Sequence, residues 1–111
     1  MQHSFEEDLR AHAPLPESGV ASRTILNTPE LRLVQFVFAP GRGLQPHAAP
    51  GPITLYFIQG QAVVQAGEET VRVRERSLVT MPAGMTHAIT AESEVVMLLT
   101  LVKSPATSDG A

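Results

Sequence analysis

The prolines and glycines constrain this chain most, because they cut it into short pieces. From Val20 onward, runs rich in β-branched and aromatic residues keep stopping at one or the other. "VASRTILNT" ends at Pro29, "LRLVQFVFA" at Pro40-Gly41, "ITLYFIQ" at Gly60 and "SLVTM" at Pro82-Ala83-Gly84. "QAVVQA" and "TVRVRE" flank "GEE" and read as a hairpin. "HAITA" and "EVVMLLTLV", separated by Glu92-Ser93, complete the series. "GRGLQPHAAPGP", with three prolines and three glycines, reads as a loop. No run has the length or the period of a helix, and no tandem repeat stands out. About eight short strands at regular spacing predict an all-β sandwich or barrel, not βαβ units.

With 111 residues the chain is expected to form one domain. We divide it into an N-terminal arm (1–19), a β-barrel (20–103) and a flexible tail, "KSPATSDGA", whose last part is 104–111. In the arm, "SFEEDLRAHA" has Ser4 as a cap and Glu7 three residues on, which allows one short helix. The arm is expected to lie on the body or on a partner subunit, or to be a free tail. Cysteine is absent, which excludes disulfides, thiolate zinc sites and a cysteine nucleophile. The 8 basic residues against 11 acidic ones form no basic block, so no nucleic-acid partner is expected. The apolar runs are too short to span a bilayer as helices, and the N-terminal stretch has no secretory h-region. These signals predict a cytoplasmic protein without a membrane partner.

Chemistry concentrates at two places. In "TMPAGMTHAIT" a turn built on Pro82 and Gly84 delivers His87 onto a new strand. In "PGRGLQPHAAPGPITLYFIQG" His47 stands just before an apolar strand. That strand alternates, with Ile53, Leu55 and Phe57 on one face and Thr54, Tyr56 and Ile58 on the other. Both faces are largely apolar, so something is expected to cover the outside, either a second copy or the arm. Met81, Met85 and Met97 read as core or as an adaptable pocket lining.

These two segments resemble the paired motifs of the cupin superfamily, the small RmlC-like jelly-roll barrels. Gly41, His47 and Gly60 match the first motif, and Pro82, Gly84 and His87 match the second. The likeness covers about residues 30 to 102. It implies a single-domain jelly-roll β-barrel, a homodimer, and a cavity lined by His47, Ile53, Leu55, Phe57 and His87. The departures are as informative. Ala49 stands where the family has its second histidine, and Ile53 (or Thr54) where it has its glutamate. Arg76 replaces the second motif's opening glycine, and Ala91 its asparagine. Only His47 and His87 remain of four implied metal ligands.

A catalytic metal site usually has three protein ligands and an open position. The acidic residues all lie in tails, turns or strand edges, so none is an evident third ligand; His3 or His12 folding back from the arm is one alternative. The first expectation is therefore a barrel that binds a small molecule, with a degenerate or absent metal site. The second is a metal-dependent dioxygenase, isomerase or decarboxylase using His47 and His87. Its cofactor would be zinc, iron, manganese or nickel, weakly held. The third is a metal-free enzyme with one histidine as acid or base, for which Tyr56 would have to enter the cavity.

Overall fold

The computed structural model describes residues 3–103. It contains nine strands: β1 (Val20–Asn27), β2 (Leu31–Phe38), β3 (Gly43–Ala48), β4 (Ile53–Gln59), β5 (Ala62–Ala66), β6 (Glu69–Val73), β7 (Leu78–Met81), β8 (Thr86–Ala91) and β9 (Val95–Val102). They form a five-stranded sheet, ordered β1-β2-β9-β4-β7, and a four-stranded sheet, ordered β3-β8-β5-β6. Every pairing is antiparallel. The fold is all-β, as the run spacing predicted, and a jelly roll, as the resemblance implied. The expected hairpin is β5 and β6, closed opposite Ala66 and Glu69. The 104–111 stretch of the tail lies outside the described residues.

One expectation is corrected at β3. "GRGLQPHAAPGP" read as a loop because of its prolines, yet Gly43–Ala48 pairs with β8. Two features permit it. β3 is the edge of its sheet, so Pro46 needs no amide for an outer neighbour. The register also shifts between Leu44 and His47, where the ladder skips Pro46. Gly43 completes the fit: a Cβ there would sit 1.8 Å from the Ile89 carbonyl oxygen.

The two sheets bury one shared interior. Strand alternation sends Phe38, Leu55, Phe57, Val64, Ile89, Val95 and Met97 into it, each essentially inaccessible to water. The opposite parity of the five-stranded sheet carries Gln35, Val37 and Val96, which are also buried. The arm accounts for part of that cover. Gln35 Nε2 donates to Leu9 O at 2.7 Å and to Ala11 O at 3.3 Å, and Arg23 pairs with Glu6 at 2.8 Å.

The allowed N-terminal helix does not form; no helix occurs among the described residues. The reason is competition for backbone groups. The carbonyls of Leu9 and Ala11 accept from Gln35, and Asp8 folds onto the Arg10 amide and guanidinium. No helix of the described residues is long and apolar enough to cross a membrane.

Candidate functional site

The site is built where β3 meets β8. His47 and His87 are direct register partners, and their rings lie 4.3 Å apart, centroid to centroid, tilted by 57°. The turn before β8 fixes this register. Gly84 has φ +81, and its amide donates to Ala49 O at 2.9 Å, tying the turn to the chain just beyond β3. The expected role of Pro82 and Gly84 as an aiming turn for His87 agrees with this geometry.

The two histidines differ in environment. His87 is 1 % exposed, whereas His47 is exposed. Each ring donates Nδ1–H to a carbonyl two residues back: His87 to Met85 O at 3.1 Å, His47 to Gln45 O at 3.0 Å. A carbonyl can only accept, so Nδ1 carries the hydrogen in both. Burial pushes the His87 imidazole below its ordinary range; the Met85 bond opposes this, and nearby His47 adds to it. Neutral His87 therefore keeps a bare lone pair on Nε2. That atom is buried and has no hydrogen-bond partner.

Beside the pair lies a cavity of about 230 Å³. Val34 and Phe36 of β2, Leu99 and Leu101 of β9 and Ile53 of β4 supply its apolar wall. His47, His87, Ala49 and Pro50 close the other side, and Arg32 is its remaining polar residue. The structure thus brings together three of the five residues expected at the cavity: His47, Ile53 and His87. Leu55 and Phe57 point inward as expected but do not line it. They lie farther along the same face, in the packed core. Alternation assigns a face but not a depth, and depth depends on what packs opposite.

Sequence reasoning missed Arg32, Val34 and Phe36 of β2, Leu99 and Leu101 of β9, and the Ala48–Ala49–Pro50 stretch. A signal was present. In "LRLVQFVF" the alternate set is Arg32, Val34, Phe36 and Phe38, so one charge interrupts an otherwise apolar face. Tyr56 lies on the outer face, 38 % exposed, and contributes nothing to the cavity. His12 bonds to Ala13 O and faces Glu94 Oε1 at 3.4 Å, away from the histidine pair.

The donor set does not fit a resident divalent metal. Two imidazoles are in place, but the other two positions of the motif are the aliphatic Ala49 and Ile53, both against the cavity or core. No group of three His, Asp or Glu side chains converges among the described residues. Two neutral donors offer no charge against the cost of dehydrating a dication.

A family model described as a cupin domain matches residues 34–102. A conserved protein of unknown function from Streptococcus pyogenes is 30 % identical, with a TM-score of 0.82 over 94 % of this chain and 91 % of that one. A cupin 2 conserved barrel domain protein from Leptotrichia buccalis is 28 % identical, with a TM-score of 0.76 over 82 % of this chain but only 44 % of that one. A cupin superfamily protein from Desulfitobacterium hafniense shares the fold at 20 % identity and a TM-score of 0.74, over 91 % of this chain and all of that one (100 %). No curated protein matches.

Proposed function

The chain belongs to the cupin domain family, and we propose that it binds a small organic molecule in its barrel without a resident metal. The observation that carries this reading is an apolar cavity whose lining includes His87, a residue with a buried, unpartnered Nε2. A buried polar atom without a partner is costly, and such atoms are uncommon in folded proteins. A ligand group that donates to Nε2 removes that cost. The cavity, about 230 Å³, suits a compact metabolite and not a drug-sized one.

Metal content tests the reading. Protein dialysed against zinc, iron, manganese or nickel salts is expected to retain substoichiometric metal by elemental analysis. One tightly held ion per chain, lost in both His47→Ala and His87→Ala, would overturn it in favour of a metal-dependent enzyme.

We also propose that the protein works as a homodimer. Leu78, 61 % exposed, Tyr56 and Val102 form apolar outer positions of the five-stranded sheet that support this assembly. Light scattering on the eluting protein is expected to give twice the chain mass, and Leu78→Lys to give the monomer.

A further inference from the structure

Polar groups are few in this cavity, and each constrains what can occupy it. Arg32 begins the inner face of β2, opposite Leu101, and is exposed at the cavity mouth. Among the described residues its guanidinium reaches only Thr24 Oγ1, at 3.4 Å. Among the described residues no carboxylate lies within ion-pair distance of it, and none lines the cavity. A cation therefore opens onto an apolar wall with no acidic partner. At the inner wall the requirement is opposite in kind. Both histidines spend their Nδ1 hydrogens on backbone carbonyls, so His87, one of the lining residues, keeps an unpaired acceptor at its Nε2.

We infer that the occupant is a small amphipathic organic acid: its carboxylate pairs with Arg32, its apolar body lies along Val34, Ile53 and Leu101, and a hydroxyl or N–H at its far end donates to His87 Nε2. This inference rests on the small-molecule reading above and adds the ligand's chemical class. A planar guanidinium matches a carboxylate through two parallel hydrogen bonds. A neutral ligand would leave Arg32 unused, and one without a donor would leave Nε2 unpaired.

The probes are a homologous series of short ω-hydroxy carboxylates, the matching carboxamides and the matching ω-methyl carboxylates. Affinities are read from ¹H–¹⁵N NMR titrations followed at cavity residues. Chain length varies within each series, so fit along the cavity is sampled and head and tail chemistry are compared at equal length. The hydroxy acid is expected to bind tightest, with amide and methyl analogues each weaker by roughly five- to tenfold, the range set by a partly exposed charge-assisted contact. Arg32→Gln should bring the acid to the affinity of the amide and leave the amide unchanged. His87→Leu should abolish the advantage of hydroxyl over methyl.

Equal binding of acid and amide, or of hydroxyl and methyl, across the series overturns the inference and leaves the small-molecule reading standing. So does an acid preference that survives Arg32→Gln. If no member of any series, charged or neutral, perturbs the cavity, the small-molecule reading itself falls.

Discussion

The two ends of the barrel interior are lined by the same strands and yet differ in kind. At one end the inner row runs Arg32, Leu101, Ile53 and Met81 across β2, β9, β4 and β7. At the other, Phe38 faces Val95, and Met97 and Phe57 form the row beside them, which reaches the cavity wall at Phe36. Phe38, Phe57, Val95 and Met97 are wholly buried in a continuous cluster with Ile89, Val64 and Ala62. The Arg32 end meets Ala49, Pro50 and two histidines, too small or too polar to fill the space, and a cavity remains. One strand spans both regimes: all three inward residues join the core cluster, but Ile53 also borders the cavity, whereas Leu55 and Phe57 do not. Binding capacity therefore comes from what packs opposite a strand, not from the strand's own pattern.

Truncation and overpacking should separate the two ends. Phe57→Ala removes a ring from a filled region and is expected to cost about 3–5 kcal/mol by urea denaturation. Enlargement should discriminate more sharply. Leu55→Phe must force its way into packed neighbours, at about 1–3 kcal/mol, whereas Ile53→Phe has the cavity to enter and should cost less than about 1 kcal/mol. Equal costs for these two substitutions would mean that both ends are packed alike.

The same contrast explains what could be read in advance. Strand runs, the β5–β6 hairpin and the aiming turn at Pro82 and Gly84 were legible because proline, glycine and period-two alternation act locally. His47 and His87 were legible through motif spacing. β3 was not, because Pro46 is tolerated only at an edge beside an irregular register, and edge status belongs to the assembled sheet. The missed cavity residues of β2 and β9 failed for a related reason. Val34, Phe36, Leu99 and Leu101 look like any core residues until their register with β4 is known. Arg32 alone broke the pattern, and its meaning depended on which end of the barrel it occupied.

His87 gives the next, smaller effect. Its unpaired Nε2 is costly, so His87→Leu is expected to stabilise the ligand-free protein by about 1 kcal/mol at neutral pH, despite losing the bond to Met85. Acidification should widen the gap. Burial lowers the pKa of folded His87, so below the ordinary value of 6.5 the unfolded chain takes up a proton that the folded chain resists. Wild-type stability from this group is full above that value and falls as pH drops toward the lowered folded value. The leucine variant lacks this component. Urea midpoints measured between about pH 5 and 8 should diverge toward acid; parallel curves would mean that folded His87 titrates as freely as in the unfolded chain.

The smallest effect is expected outside the barrel, where the arm crosses the five-stranded sheet. Two kinds of contact hold it. The Glu6–Arg23 ion pair is exposed, and exposed pairs contribute little because water and salt screen them. Gln35 is 2 % exposed and gives its amide to two arm carbonyls, while its Oε1 accepts from Arg23 Nε at 3.2 Å. Part-buried bonds of this kind cost more to break than an exposed ion pair. Glu6→Gln should therefore leave the urea midpoint unchanged, and Gln35→Ala should lower it and speed amide exchange in residues 9–11. A clear loss from Glu6→Gln, with Gln35→Ala neutral, would mean that charge and not buried amide bonding keeps the arm in place.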